Sequence, residues 1–199
     1  MDRALAPLLA QYPGYASFRA TYSDPLTAAA LGHMGQFAAA EARVTPMPAD
    51  CYRCLIARAQ LAELEGQHAR ADWRFGRAVT ADPAIPYAES EWGRALLDRG
   101  KSDAAIEKFK ASNAKGPHFA DPLEGWGEAL IAKSQSHLAL AKFAEAEKHA
   151  PNWGRLHLKW GEALVYAGKK DEAKAQFARA AQLDLTLSEK SELSRMSHA

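Results

Sequence analysis

Cysteine is scarce in this sequence, and long apolar runs are missing from it. Two cysteines among 199 residues are too few for a disulfide scaffold, which favours a reduced protein in the cytoplasm. No stretch approaches the roughly 20 apolar residues that span a bilayer, so no membrane partner is expected. The N-terminal segment is too short, and acidic too early, for a secretory signal. We therefore predict a cytoplasmic protein, and a fragment of a longer chain stays an open alternative.

A large charge of either sign is also absent. The 25 Lys and Arg residues nearly balance the 24 Asp and Glu residues, which leaves a formal net charge of +1. Because nucleic-acid-binding proteins usually carry a strong basic excess or a basic stripe, no nucleic-acid partner is expected.

The sequence lacks the short motifs of catalytic and metal sites. None of its seven histidines forms a His-x-x-x-His pair, and no Gly-x-Ser-x-Gly elbow is present. The segment from Gly161 to Lys170 resembles a phosphate-binding loop only superficially, because its glycine spacing is too long. We therefore expect no catalytic residue, no metal and no cofactor, and the chain is predicted not to be an enzyme.

Cys51 and Cys54 have the spacing of a redox motif or of half a zinc site. They precede a predicted helix, whose N-terminus could lower the pKa of a thiol. No strand comes before them and no second cysteine pair exists, so small buried helix residues are the favoured interpretation. A redox or metal role stays as the minor alternative.

Repetition at one fixed interval is the strongest pattern in the chain. Trp-Gly pairs begin at Trp92, Trp126 and Trp160, which are equally spaced, and Ala-Leu follows each pair after one residue. Alanine and phenylalanine columns keep the same interval, and stepping back once more recovers a fourth unit without the tryptophan. The members of these two columns are Ala71, Ala105, Ala139, Ala173, Phe75, Phe109, Phe143 and Phe177.

This spacing predicts two helices in each unit. Trp126, Gly127 and Leu130 share one helical face, and the Ala139 and Phe143 columns form a second face further along. The tryptophans are interpreted as core residues that fill the space between layers. The short turn between the helices has a residue that can end a helix with left-handed dihedrals. The turn residues are Gly66, Gly100, Ser134 and Gly168.

These columns resemble the tetratricopeptide repeat, a helix-turn-helix unit of the same period, about 34 residues. The matching units are residues 52–85, 86–119, 120–153 and 154–187. The resemblance implies an all-α fold, a right-handed α-solenoid of four helix pairs. Three positions depart from the pattern: Arg58 stands where other units have Trp, Glu89 replaces a large apolar residue, and Leu185 replaces a terminal proline.

Both ends of a repeat array need caps, because an unpaired repeat leaves an apolar face exposed. Residues 1–50 are predicted to be an N-terminal helical cap or degenerate half-repeat, with a helix start at Asp24-Pro25 and a faint repeat turn at Gly35. The segment from Met1 to Tyr22 is predicted to form two short helices hinged at Pro13-Gly14. Residues 188–199 are predicted to form a capping helix with Ser188 as its N-cap, and Asp50 is predicted to cap the helix of the first unit.

The best candidate for a functional surface is the face of each first helix opposite the tryptophan. The position two residues after the tryptophan points roughly 200° away from it. The resemblance implies that such columns line a concave groove for a peptide or a partner helix; a solvated face without function is the alternative. The candidate groove residues are Arg53, Gln60, Tyr87, Glu91, Arg94, Asp98, Asp121, Glu124, Glu128, Arg155, Lys159, Glu162 and Tyr166.

The resemblance therefore favours a protein–protein interaction scaffold or adaptor. The Lys and Asn clamp with which relatives hold a C-terminal carboxylate is absent from the groove columns, and the middle of the groove is acidic. We expect a protein or peptide partner with a basic segment opposite this acidic patch and with apolar contacts near Tyr87 and Tyr166. Two alternatives stay open: a repeat module of a larger protein or enzyme whose catalytic part lies outside this chain, and a homodimer formed through an end face.

Overall fold

The computed structural model describes residues 19–197, and within them the chain forms eleven α-helices after a short π-helical turn at Arg19–Ser23. The helices pack in sequential pairs, which confirms the prediction of an all-α repeat fold. The predicted hinge at Pro13-Gly14 lies outside the described residues. The chain divides into two compact units, Met1–Ala84 and Ile85–Ala199. Among the described helices, none has the length and apolar character needed to cross a membrane.

The first unit contains two helix pairs. These are α1 (Asp24–His33) with α2 (Phe37–Val44), and α3 (Tyr52–Leu64) with α4 (His68–Ala81). Pro25 lies in the first turn of α1, as predicted. One apolar cluster of this unit contains Ala28, Ala40, Val44, Met47, Cys54, Ala57 and Leu61.

Arg58 has a structural role that a tryptophan could not fill. Its guanidinium donates hydrogen bonds to the backbone oxygens of Val44, at 2.8 Å, and Met47, at 2.6 Å. These carbonyls lie at the end of α2 and in the loop that follows, where the regular hydrogen bonds of the helix stop. Arg58, which departs from the repeat pattern, therefore stabilises the connection between the two helix pairs.

The second unit contains three helix pairs and a final helix. The pairs are α5 (Tyr87–Asp98) with α6 (Ser102–Lys115), α7 (Ala120–Ala132) with α8 (Ser136–Glu147), and α9 (Gly154–Tyr166) with α10 (Lys170–Ala180); α11 spans Leu187–Ser197. The first helices of the pairs contact one another, α5 against α7 and α7 against α9, and α11 packs on α9 and α10. Consequently, side chains at the same repeat position meet across neighbouring helices.

The turn between paired helices has the same geometry in both units. Gly100 has a φ of 74°, its N–H donates to the oxygen of Leu97, and the next N–H donates to the oxygen of Leu96. Gly35 repeats this arrangement between α1 and α2, with a φ of 71°. Ser134 is the one described non-glycine residue with positive φ, at 59°.

The glycine of each Trp-Gly pair allows the paired helices to approach closely. A Cβ atom on Gly127 would lie 2.6 Å from the ring of Phe143, and one on Gly161 would lie 2.3 Å from the ring of Phe177. Phe143 is fully buried. The glycine and phenylalanine columns are therefore two sides of one contact.

The tryptophans are less buried than the core interpretation predicts. Trp92, Trp126 and Trp160 pack against the core but remain half-buried. Lysine side chains cover the outer faces of two of them: the Nζ of Lys108 lies 3.5 Å from the ring centroid of Trp92, and that of Lys142 lies 4.2 Å from the ring centroid of Trp126. The tryptophans thus form the border of the core rather than its interior.

Two predicted helix caps are wrong by one or two residues. The N-cap of α11 is Thr186 and not Ser188, because Thr186 and Glu189 exchange hydrogen bonds between side chain and backbone N–H in a capping box. The N-cap of α3 is Cys51 and not Asp50, because the N–H of Cys54 donates to the sulfur of Cys51. Cys51 and Cys54 are also joined by a disulfide, contrary to the expectation of reduced cysteines.

Candidate functional site

Six of the predicted groove residues meet in the second unit as a network of alternating charge. Arg94 comes from α5, Glu124 and Glu128 come from α7, and Arg155, Lys159 and Glu162 come from α9. Two carboxylates of α11 complete the network. We call these eight residues the charge ladder: Arg94, Glu124, Glu128, Arg155, Lys159, Glu162, Glu189 and Glu192.

The centre of the ladder is Glu124, whose side chain is fully buried. Arg94 Nη2 donates to one of its carboxylate oxygens at 2.5 Å, and Arg155 Nε donates to the other at 3.0 Å. The same two guanidinium groups also donate to Glu128, Arg155 through Nη2 at 2.7 Å. Two arginines therefore bridge two carboxylates, which is the arrangement in which charge-assisted hydrogen bonds are strongest.

The C-terminal end of the ladder joins α9 to the capping helix, α11. Arg155 Nη1 lies 3.4 Å from Glu189, and Lys159 Nζ donates to Glu192 at 2.5 Å. Lys159 also contacts Glu162 at 3.2 Å. These contacts hold α11, none of whose residues is fully buried.

The two carboxylates of α11 were absent from the predicted site. A signal for them exists, because Glu189 lies one repeat period after Arg155 and Glu192 lies two repeat periods after Glu124. Extending the repeat beyond residue 187 would have placed both on the predicted face.

Burial and neighbouring charge move the pKa values of the two central carboxyls in opposite directions. Burial, and then the charge of Glu128, raise the pKa of Glu124 to about 8, although Arg94 and Arg155 oppose this. Burial would also raise the pKa of Glu128, but the same two arginines outweigh it and hold that pKa below its usual range. The two carboxyls therefore titrate as a pair, in which Glu124 is the one that binds a proton first as the pH falls.

The ladder changes the meaning of the predicted acidic patch. Glu124 and Glu128 are engaged by cations of their own chain, so they are not a free surface for a basic partner. Asp121 is half-buried, and burial raises its pKa. The expectation of an acidic middle that faces the partner is therefore wrong for Glu124 and Glu128, because Arg94 and Arg155 bind both carboxyls within the unit.

An open cavity of about 620 Å³ lies beside the ladder. Its apolar lining comes from the ends of three first helices, with Leu97 on α5, Ile131 and Ala132 on α7, and Tyr166 on α9. Its polar lining includes Glu162 and other members of the ladder, together with Ser134 and Ser136. Tyr166 is 59% exposed, so the cavity has an aromatic rim.

Tyr166 and Glu162 act as one polar edge of this cavity. The negative charge of Glu162, followed by burial and a hydrogen bond to Glu162, raises the pKa of the Tyr166 hydroxyl. Burial raises the pKa of Glu162 itself, while Lys159 opposes that effect. A group that binds here therefore meets a hydroxyl, a carboxyl and an ammonium within one short stretch of α9.

The remaining predicted residues do not line the cavity. Tyr87 is 38% exposed, and its ring centroid lies 6.5 Å from that of Phe119. Glu91, like Asp121, is half-buried, and Asp98 is exposed. Arg53 and Gln60 belong to the first unit, where the Arg53 guanidinium lies 4.9 Å from the ring centroid of Tyr22.

Known structures match most of the chain, whereas protein-family models and curated protein sequences gave no match. TTC0263, a thermophilic TPR protein of Thermus thermophilus, is 24% identical with a TM-score of 0.65, covering 73% of this chain and 80% of that one. PilF of Pseudomonas aeruginosa is 13% identical with a TM-score of 0.70, covering 92% and 89%. The first TPR domain of human RPAP3 is 20% identical with a TM-score of 0.53, covering 58% and 92%.

These neighbours are tetratricopeptide-repeat proteins, and their low sequence identity limits the comparison to the fold. The paired helices, the left-handed turns and the glycine–phenylalanine contacts described above agree with it. The chain therefore has the fold of the tetratricopeptide-repeat proteins, as its repeated columns predict.

Proposed function

We propose that the chain is a protein-binding module that holds a peptide or a partner helix in the cavity beside the charge ladder. The tetratricopeptide-repeat fold is generally a protein–protein interaction module. The observation that carries the proposal is the open cavity of about 620 Å³, which combines an apolar lining with a few convergent polar groups.

The cavity suits an apolar or aromatic side chain of the partner. Leu97 and Ile131 are half-buried, and Ala132 is exposed, so a bound side chain would cover apolar surface that now faces water. Tyr166 adds an exposed ring that loses little conformational entropy when it is covered. These residues would supply the affinity.

The polar edge of the cavity suits a basic group of the partner. Glu162 contacts the ammonium group of Lys159, which also contacts Glu128 and Glu192. A partner Lys or Arg near Glu162 would add a charge-assisted hydrogen bond, and Tyr166 could accept a second one. The basic segment proposed for the partner is thereby directed to Glu162 and away from Glu124 and Glu128.

The test is a selection of displayed random peptides on the immobilised chain. The best peptide is then measured against Ala132→Arg, which places a long cation in the cavity, and against Ala114→Arg. Ala114 is also an exposed alanine, near the end of α6, and does not line the cavity, so it is the matched control. We expect Ala132→Arg to weaken binding by more than about tenfold, since it blocks the apolar contacts.

Two results would contradict this assignment. Equal affinities for both variants would place the peptide elsewhere on the chain. A selection that yields no peptide above background, repeated with helical as well as unstructured libraries, would argue against a peptide-binding cavity.

A further inference from the structure

Cys51 and Cys54 form a disulfide at the N-terminus of α3, with their Cα atoms 5.1 Å apart. The helix has 13 residues, so its N-terminus presents aligned N–H groups and a positive dipole end. The proposed protein-binding function makes no use of this pair, which lies in the first unit.

The two sulfur atoms have different environments. Cys51 is half-buried and is the N-cap of α3, where its sulfur accepts the N–H of Cys54 at 3.3 Å. Cys54 is fully buried in the core of the unit, and its sulfur lies 3.6 Å from the backbone oxygen of Ala20. One sulfur thus faces a hydrogen-bond donor, and the other faces an acceptor.

This asymmetry assigns a different role to each cysteine when the bond is open. The N–H donor and the helix N-terminus stabilise negative charge on Cys51, which favours its thiolate. The oxygen of Ala20 can accept an S–H bond from Cys54, and burial disfavours a charge there, so Cys54 stays a thiol. The side chains of Asp50 and Arg53, which flank the cysteine pair in the sequence, are both exposed and have opposite charges. Because these charges oppose each other, the difference between the two sulfur atoms is set by the backbone groups.

We propose that Cys51 and Cys54 are a redox-active dithiol–disulfide site that exchanges with thiol substrates. A substrate thiolate attacks the sulfur of Cys51, the Cys51–Cys54 bond breaks, and its electron pair leaves on the sulfur of Cys54, which takes up a proton. A second substrate thiolate then attacks the substrate sulfur of the mixed disulfide and releases the Cys51 thiolate. Two substrate thiols become one disulfide, and the two electrons they lose reduce the cysteine pair.

The experiment equilibrates the intact chain in buffers with different ratios of reduced to oxidised glutathione, followed by maleimide trapping and mass measurement. We expect reversible opening and closing of the bond as the ratio changes. Cys54→Ala should form a mixed disulfide with glutathione at Cys51, and Cys51→Ala should form little at Cys54.

Relative reactivity tests the difference between the two cysteines directly. In the reduced wild-type chain, a short pulse of iodoacetamide followed by peptide mapping should label Cys51 roughly tenfold or more faster than Cys54, because the thiolate is the reactive form and Cys51 is the more accessible of the two. This measurement needs no substitution, so it stands even if a variant fails to fold. A bond that stays closed at every glutathione ratio, two thiols that never close in oxidised glutathione, or equal labelling of both cysteines would each overturn the proposal.

Discussion

Arg155 donates a hydrogen bond to Glu124, a carboxyl that is fully buried between neighbouring helix pairs of the second unit. The same guanidinium reaches Glu128 and Glu189, so one arginine joins α7, α9 and α11. Buried charges are costly unless they are paired and hydrogen-bonded, and here each central carboxyl has two arginine partners. The stability of the second unit should therefore depend on the protonation and identity of these few side chains.

The two central carboxyls should respond differently to amide substitution. Glu128→Gln removes the ionised member of the pair, so Arg94 and Arg155 have less negative charge next to them. We therefore expect a loss of about 2–4 kcal/mol in unfolding free energy at neutral pH. Glu124→Gln should cost less than about 1.5 kcal/mol, because an amide resembles a protonated carboxyl. Urea unfolding of both variants measures the difference, and a larger loss for Glu124→Gln would show that the proton assignment is wrong.

The pH dependence of stability follows from the same pair. Since the folded-state pKa of Glu124 is raised to about 8, its contribution is fully present below its usual pKa of 4.5 and is lost as the pH rises through about 8. Glu128 has a lowered pKa, so its contribution is present above its usual value and is lost as the pH falls below it.

We therefore expect the wild-type chain to lose stability between about pH 5 and about pH 9, and Glu124→Gln to lose less over that range. Thermal unfolding of the two proteins in the same buffers provides the comparison, since other titrating groups are common to both. Parallel curves for the two proteins would contradict the raised pKa of Glu124.

Replacing Ser134 with glycine should increase the stability of the chain. It has a φ of 59° at the turn position where the other repeat units have glycine, and a Cβ atom in that conformation is strained. We expect Ser134→Gly to stabilise the chain by about 0.5–1 kcal/mol, the strain being partly offset by the greater freedom of glycine in the unfolded chain. Gly100→Ala is the matched reverse change and should destabilise by a similar amount. A lower melting temperature for Ser134→Gly would count against this account of the turn.

Gly127 should not tolerate even a methyl group. The Cβ of an alanine would lie 2.6 Å from the ring of Phe143, which is fully buried and cannot move away freely. We expect Gly127→Ala to cost about 1–3 kcal/mol through overpacking, despite the better helix propensity of alanine. The double variant with Phe143→Leu should show a favourable coupling, since a leucine leaves room for the methyl group. Strictly additive effects in denaturant unfolding would mean that the two residues do not compete for space.

The helix pairs could be predicted from the sequence because their columns report direct contacts. Gly127 and Phe143 recur with the repeat period since each unit needs the same close approach, and the left-handed turn at Gly100 leaves an equally local mark. The half-exposure of Trp126 could not be predicted, because periodicity identifies a face and not how far a neighbouring lysine covers it.

The charge ladder was only partly predictable. The pattern placed Arg94 and Arg155 on the correct face, but it could not show that they turn inward to Glu124. One signal was present: within the four predicted repeat units, Glu124 occupies a column whose other members, Ile56, Ser90 and Leu158, are uncharged and buried. A lone acidic residue in such a column indicates a buried carboxyl with a cationic partner, since an unpaired one would be too costly.

The disulfide had no sufficient signal in the sequence. Cys51 and Cys54 have the same spacing in a reduced helix as in an oxidised one, and the difference lies in the backbone of Cys51, which is extended at the N-cap. With Asp50 as the predicted N-cap, Cys51 would be the first residue of the helix. In the structure Cys51 is the N-cap itself, and its extended backbone accompanies the disulfide.

The most direct test of the protein-binding account is the hydrogen-exchange footprint of a selected peptide on the intact chain. We predict added protection at the end of α7, in the turn that contains Ser134, and at the end of α9 around Tyr166, because these segments line the cavity. The same footprint should disappear with Ala132→Arg and persist with Ala114→Arg. Protection confined to the first unit, or to the lysine-covered faces of α6 and α8, would contradict the assignment of the cavity as the binding site.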